Sequence, residues 1–94
     1  MTEESVSRAV RELSAALAAT KDKKEIEAFL YSLLTKAEVK AIGARWTLVK
    51  EIARGTPQRD IARMYRLSLC KITRGSRELK KENSPFRQMI DRIK

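Results

Sequence analysis

A chain of 94 residues with a formal net charge of +9 is long enough for one small domain and is strongly basic. It has no histidine and a single cysteine, which excludes Cys/His metal sites, disulfides within the chain and catalytic sites that depend on histidine. Because so short a domain buries only a marginal core and has no covalent or metal staple, we expect residues 1–94 to form one domain that associates as a homodimer.

The amino terminus predicts neither export nor membrane insertion. Its first residues, MTEESVSRAVREL, are charged and lack the apolar stretch of a signal peptide. No later run approaches the roughly 20 apolar residues of a membrane span. Together with the single cysteine, this predicts a soluble, cytoplasmic protein with no membrane partner.

The charge is distributed unevenly along the chain. Residues 1–38 carry six basic and seven acidic side chains, whereas residues 39–94 carry fifteen basic and five acidic ones. A basic segment of this kind indicates a polyanionic partner, because each neutralised phosphate releases counterions. The alternative is a merely solvated basic surface, and charge alone does not distinguish DNA from RNA or anionic lipid.

Apolar residues recur at helical spacings and nowhere alternate with period two, which predicts an all-α fold with six helices. Asp22 is a candidate N-cap for the second helix. The first two helices carry the apolar stripes Val6, Val10, Leu13 and Leu17, and then Ile26, Phe29, Leu30, Leu33 and Leu34.

The third helix has clear start and stop signals. Thr35 and Glu38 form a predicted capping box, and Gly55 stands where a left-handed C-cap belongs. Its apolar face, which we expect to be core, comprises Val39, Ile42, Trp46, Val49 and Ile52. Trp46 is in phase with this stripe, which favours core packing over a role in a ligand pocket.

Residues 57–80 have the pattern of a helix-turn-helix. Thr56 is predicted to cap the first helix, with Pro57 at its first position, and the turn consists of Arg66, Leu67 and Ser68. Leu67 is expected to enter the core, Ser68 to cap the second helix, and Arg66 takes a position often held by glycine. The inward residues are predicted to be Ile61, Ala62, Tyr65, Leu69 and Ile72. Ser84 and Pro85 then repeat the cap-proline signal before a last stripe of Phe86, Met89, Ile90 and Ile93.

The outward side of the second helix predicts a double-stranded DNA interface, with its amino-terminal turn in the major groove. Arg59 and Lys80 flank this unit and are candidates for phosphate contacts. The outward residues are Cys70, Lys71, Thr73, Arg74 and Arg77. Gly75 lies inside the same helix, where it costs about 0.5–1 kcal/mol relative to alanine, so something is expected to approach its backbone closely.

From about residue 29 to residue 93 the chain resembles the bacterial tryptophan repressor family. The most specific block is Ile72-Thr73-Arg74-Gly75-Ser76 followed by Leu79-Lys80. Supporting blocks are Leu34-Thr35, Gly43-Ala44-Arg45, Arg54-Gly55 and Gln58-Arg59. The resemblance implies a six-helix, interlocked homodimer that binds operator DNA with L-tryptophan as corepressor and no other cofactor.

The resemblance also implies individual roles. Arg45 and Arg74 match the arginines that sandwich the indole and hold its carboxylate, and Gly75 matches the glycine against which the indole packs. Thr35 matches a threonine at the edge of the pocket that comes from the partner chain, and the backbone carbonyls of Ser32 and Leu34 would receive the ammonium group. The residues at positions of DNA contact are Arg59, Leu69, Cys70, Lys71, Thr73 and Lys80.

Three features depart from the best-known members. Glu78 replaces a serine near the ligand's ammonium group, where it would either pair with that group or repel the ligand carboxylate. The link from Gly55 to Gln58 is one residue shorter, and Trp46 replaces a smaller aliphatic residue, which is expected to narrow the pocket.

The sequence therefore predicts a tryptophan-activated repressor of tryptophan biosynthesis or transport genes. One alternative is a related DNA-binding regulator that does not sense tryptophan, and a second is a protein that coats nucleic acid by charge alone. An enzyme is disfavoured because histidine is lacking and the acidic residues are scattered. For Cys70, contact with thymine methyl groups is favoured over a redox switch.

Overall fold

A computed structural model describes residues 1–93, and within them it confirms the all-α prediction of six helices without strands. The helices are α1 (Glu3–Ala19), α2 (Lys23–Leu33), α3 (Lys36–Arg54), α4 (Gln58–Tyr65), α5 (Leu69–Lys80) and α6 (Pro85–Arg92). They fall into two compact units, Met1–Val39 and a second unit that begins at Lys40. None of the helices in this described part of the chain is long and apolar enough to cross a membrane.

The predicted helix caps form as local hydrogen bonds. Asp22 accepts the backbone N–H of Lys24 at 2.9 Å. In the capping box of α3, the Thr35 hydroxyl accepts the N–H of Glu38 at 3.1 Å, and the Glu38 carboxylate accepts the N–H of Thr35 at 2.8 Å. Ser68 and Ser84 likewise cap α5 and α6, in each case at 3.3 Å. These side chains satisfy backbone donors that would otherwise lack partners at the helix starts.

The link between α3 and α4 differs from the prediction in one respect. Gly55 is left-handed, with φ of 94°, as expected for the C-cap of α3. Pro57, however, is itself the N-cap of α4, because its carbonyl accepts the N–H groups of Asp60 and Ile61. The Thr56 hydroxyl instead donates to a carboxylate oxygen of Glu51 at 3.2 Å. Glu51 lies in the last turn of α3 and is 8% exposed. This largely buried hydrogen bond therefore connects the link to the end of α3.

The second unit is held together by two apolar clusters. The first joins α3, α4 and α5 through Leu48, Ile61 and Ile72, with Ile52, Ala62 and Leu67 packed against them. The second joins α3, α5 and α6 through Val49, Leu79 and Ile90, with Trp46, Ile52 and Ala53 packed against them. The inward placement of Leu67 and the core assignment of Trp46 are thereby confirmed.

The prediction that Tyr65 and Leu69, on either side of the turn, face inward is wrong. Tyr65 is 42% exposed and Leu69 is 61% exposed. They are the last residue of α4 and the first of α5, where the chain enters and leaves the turn. Leu67, between them, packs against the first cluster, as predicted.

Several apolar stripes that we expected to be core are open to solvent in the single chain. Helices α1 and α2 contain no buried residue, because nothing else in the first unit covers their apolar faces. The more exposed members of the stripes are Val6, Val10, Phe29, Leu33, Ile42, Phe86, Met89 and Ile93.

Candidate nucleic-acid interface and ligand cavity

The outward face of α5 presents the residues predicted to contact DNA. All eight side chains are exposed: Arg59 at the start of α4, then Leu69, Cys70, Lys71, Thr73, Arg74, Arg77 and Lys80 on α5. An open groove of about 540 Å³ runs along this face, lined by Leu69, Cys70, Thr73, Arg74, Arg77, Glu78 and Lys81. We refer to it as the α5 groove.

The chemistry of the α5 groove suits a nucleic acid. The Thr73 hydroxyl donates to the carbonyl of Leu69 at 2.8 Å, so its hydrogen is already used and its methyl group is available for apolar contact. The carboxylate of Glu78, the one acidic side chain of the groove, pairs with the Lys81 ammonium at 2.9 Å. Arg74 and Arg77 supply positive charge, and guanidinium groups suit both phosphates and guanine edges.

Behind α5 lies a smaller cavity of about 150 Å³, between α3, α5 and α6. Its lining residues are Arg45, Leu48, Val49, Lys71, Arg74, Gly75 and Phe86. On α3 the three residues follow the spacing i, i+3, i+4, and the three on α5 repeat that spacing, so each helix contributes one continuous face. Each face combines at least one cation with apolar or bare backbone surface.

Gly75 lies where α5 packs against α3. A methyl group built on its Cα would stand 3.2 Å from the Cδ1 atom of Ile52 and 3.7 Å from Leu48. The glycine therefore permits the close approach of the two helices and also forms part of the cavity wall. The close approach that the sequence predicted at Gly75 is made by side chains of α3, and the same residue lies in the wall where the resemblance places an indole ring.

The sequence profile of the Trp repressor protein family matches residues 8–94. The chain belongs to this family. The resemblance seen from residue 29 onward is confirmed and extends back to residue 8. Searches of curated proteins and of solved structures found no match. The Trp repressor family consists of DNA-binding transcriptional regulators and not of enzymes, so the α5 groove belongs to a helix-turn-helix of a regulator.

The structure brings together three of the residues that the Trp repressor resemblance assigned to the ligand, namely Arg45, Arg74 and Gly75. It places Glu78 elsewhere, in the α5 groove and paired with Lys81. Trp46 is not among the residues that line the cavity; it packs against the cluster of Val49, Leu79 and Ile90. Since Trp46 does not line the cavity, no contact of its side chain supports the expectation that it narrows the pocket.

Three other predicted ligand residues belong to the first unit, around the junction of α2 and α3. The Thr35 hydroxyl is engaged in the capping box, and Leu34 is the C-cap of α2, with its N–H bonded to the Leu30 carbonyl at 3.0 Å. Ser32 is exposed at the end of α2. Their roles toward a ligand bound by a partner chain remain predictions.

The sequence reading missed four residues of the cavity. The contribution of Leu48 and Val49 could have been predicted, because they follow Arg45 by three and four positions on one helix. Lys71 was assigned to DNA, although it precedes Arg74 by three positions on α5. Phe86 reaches the cavity from α6, and no local pattern predicts that contact.

Proposed function

We propose that this protein is a dimeric transcriptional repressor that reads operator DNA with α5 and responds to a small ligand in the cavity behind that helix. Arg74 carries the proposal, because it lines both the α5 groove and the cavity. Family membership and the presence of Arg45 and Arg74 in one cavity support L-tryptophan as the corepressor. They likewise support tryptophan biosynthesis or transport genes as targets.

In this proposal, some residues of the helix-turn-helix contact base edges and others contact phosphates. Cys70 and Thr73 offer small groups to base edges, and Arg77 offers a guanidinium group. Arg59 and Lys80 hold phosphates on either side, which fixes the position of α5 in the groove. Because base edges in the major groove are distinguishable, this arrangement yields sequence preference beyond charge attraction.

Ligand control follows from the position of the cavity. A carboxylate held by Arg45 and Arg74 links α3 to α5, and an aromatic ring would lie against Gly75. Such a ligand stabilises one position of α5 and shifts the equilibrium only by its differential affinity for the two states. By linkage, operator DNA must then strengthen ligand binding by the same factor.

The exposed stripes of the first unit support the homodimer. Val6, Val10, Phe29 and Leu33 form apolar surface that a soluble monomer would leave in water, and a second copy is the partner predicted for it. A dimer would present two α5 helices to successive major grooves, and a two-fold symmetric operator would match it.

Three alanine variants test the proposal with one another as controls. Sites selected by the wild-type protein from random DNA provide the probe, and binding is measured with and without L-tryptophan. Arg77→Ala removes a residue that lines the α5 groove only, so it should weaken DNA binding and leave tryptophan binding intact. Arg45→Ala removes a residue that lines the cavity only, so it should abolish the response to tryptophan.

Arg74→Ala should weaken both kinds of binding. If either remains at the wild-type level, the double role of Arg74 is wrong. A site bound at least about 10³-fold more tightly than random DNA would exclude a protein that coats nucleic acid by charge. Selective DNA binding that is indifferent to tryptophan would instead identify a regulator with another effector.

A further inference from the structure

Arg66 is a charged residue at a position where the backbone favours glycine. Within residues 1–93, Arg66 and Asn83 are the two residues other than glycine with a left-handed φ angle, at 52° and 55°. Asparagine adopts this conformation readily because its short polar side chain can hydrogen-bond locally, but arginine has no such compensation. A residue that keeps an unfavourable backbone conformation in an exposed turn points to a functional role.

The guanidinium group of Arg66 has no partner within the part of the chain that the structure describes. The side chain is exposed at the turn between α4 and α5. The cations that form ion pairs among residues 1–93 are Arg54, Arg63 and Lys81. Within that range, neither burial nor a carboxylate partner accounts for arginine in place of glycine at this position.

We propose that Arg66 is a DNA-binding residue that holds a phosphate beside the first turn of α5. Arg66 precedes the Ser68 cap by two residues, and the turn that begins at this cap is the part of α5 that the proposed function places in the major groove. A phosphate beside that groove is therefore the anion closest to the exposed guanidinium group. The inference rests on the proposed function of the helix-turn-helix, and it adds a contact that the family resemblance does not include.

Arg66 also continues a basic row on α4. Arg59 and Arg63 lie one helical turn apart on this helix, and Arg66 follows at its C-cap, with all three exposed. The first helix of a helix-turn-helix crosses the DNA backbone, so cations along it are placed for phosphates. Arg63 shares its charge with Asp60 at 3.3 Å, which leaves Arg66 as the unneutralised cation at this end of the row.

The length of α4 allows the two ends of the row to hold different phosphates. At 1.5 Å per residue, Arg59 and Arg66 are about 10 Å apart along the helix axis, or roughly three nucleotide steps of one DNA strand. The contribution of Arg66 to binding should therefore add to that of Arg59, and removal of Arg66 should be detectable while Arg59 remains.

Arg66→Gly tests the inference directly. Glycine suits the left-handed backbone, so a loss of DNA binding in this variant would not come from a loss of stability. One phosphate contact contributes about 0.9 to the slope of log K against log salt concentration, so the loss of one contact from each protomer of a dimer should reduce that slope by about 1.8. Affinity near 0.15 M salt should fall by about five- to thirtyfold, the range for the loss of one or two such contacts. Because phosphates carry no sequence information, selected and random DNA should be affected by similar factors.

Two further variants serve as controls. Arg66→Lys keeps the charge on the same backbone and should retain the wild-type salt slope. Arg92→Gln removes one positive charge from the exposed end of α6, outside the helix-turn-helix, and should leave affinity and slope close to those of the wild type. Fluorescence anisotropy on a selected duplex and a random duplex, at several salt concentrations, measures all four proteins.

The remaining outcomes overturn the inference in distinguishable ways. An unchanged slope in Arg66→Gly would remove Arg66 from the interface, and the repressor proposal would stand without it. A loss confined to the selected duplex would show that Arg66 orients α5 and does not bind a phosphate. An equal loss in Arg92→Gln would assign the effect to total charge. A wild-type protein that selects no DNA site would instead reject the proposed function on which the inference rests.

Discussion

Arg66 holds the turn of the helix-turn-helix in a backbone conformation that suits glycine. Its φ and ψ angles are 52° and 43°, in the left-handed region, where a side chain costs about 1–2 kcal/mol. Its side chain is exposed, so little packing is lost if it is removed. Arg66→Gly should therefore raise the free energy of unfolding by about 0.5–1 kcal/mol, after the greater chain entropy of glycine in the unfolded state is subtracted.

The matched control for this prediction is Arg63→Gly. Arg63 is also exposed but lies within α4 in a right-handed helical conformation, where its guanidinium pairs with Asp60 at 3.3 Å. Glycine there should lower stability by about 1 kcal/mol through helix propensity, with a further loss of at most about 0.5 kcal/mol from the exposed ion pair. Urea titration at a single protein concentration would measure both variants. Equal effects on the two positions would show that the left-handed backbone at Arg66 carries no cost.

A substitution at Gly75 distinguishes the effect of helix packing from the effect of ligand binding. An added methyl group would require Ile52 to give way by a few tenths of an ångström, since the contact would be 3.2 Å. The gain in helix propensity, about 1 kcal/mol, opposes that cost. We expect Gly75→Ala to keep nearly wild-type stability and to weaken binding of an aromatic acid, as measured by thermal unfolding and calorimetry. Unimpaired ligand binding would show that the ligand does not rest on this wall.

The first turn of α5 is the part of this helix that is predicted to approach DNA. The Ser68 cap fixes its first turn, which carries three of the predicted DNA contacts: Leu69, Cys70 and Lys71. Aspartate and asparagine are both about as good as serine at an N-cap, but only aspartate adds a negative charge. Ser68→Asp and Ser68→Asn should therefore fold with similar stability and differ in DNA affinity.

We expect Ser68→Asp to weaken binding of a selected DNA site by at least about tenfold at low salt, because its carboxylate would face phosphates. Ser68→Asn should stay close to the wild type. Melting temperatures and fluorescence anisotropy on one DNA duplex would measure the two properties together. Equal DNA affinity in the two variants would mean that the start of α5 does not approach the phosphate backbone.

The sequence predicted those features of the elements that depend on neighbouring residues. The caps at Asp22, Thr35, Ser68 and Ser84 need only a short side chain and the next turn of backbone, so their types and positions were sufficient. The exposure of Tyr65 was not predictable in this way, because its place in the helical period matches that of a core residue and only the course of the turn removes it from the core.

The site shows the same division between local and distant information. Helical spacing alone connects Arg45 with Leu48 and Val49, and the family resemblance paired Arg45 with Arg74. The arrival of Phe86 from α6 depends on how the helices pack, which the spacing of residues does not contain. The pairing of Glu78 with Lys81 is a local i, i+3 contact, which the spacing could have indicated. The sequence therefore predicted two of the three cations of the cavity, Arg45 and Arg74, and none of the apolar side chains of its wall.

Charge and apolar surface are divided between the two units of the chain. The basic half of the sequence begins at residue 39, and the second unit, which contains the helix-turn-helix, begins at Lys40. The first unit has almost no net charge and no buried residue in either of its complete helices. This division fits the proposed function, in which the second unit binds DNA and the apolar stripes of the first unit associate with a second copy.

Val10 provides a direct test of that association. It is 54% exposed on α1, in the stripe with Val6, Leu13 and Leu17, and burial of a carboxylate there would cost several kcal/mol. Val10→Glu should therefore convert a dimer into a monomer of 10.8 kDa, as measured by sedimentation equilibrium. Ala15→Glu adds the same charge on the other side of α1, about 140° from Val10 in helical angle, and should remain dimeric. A wild-type protein that sediments as a monomer would reject the shared core, and a dimeric Val10→Glu would move the interface away from this stripe.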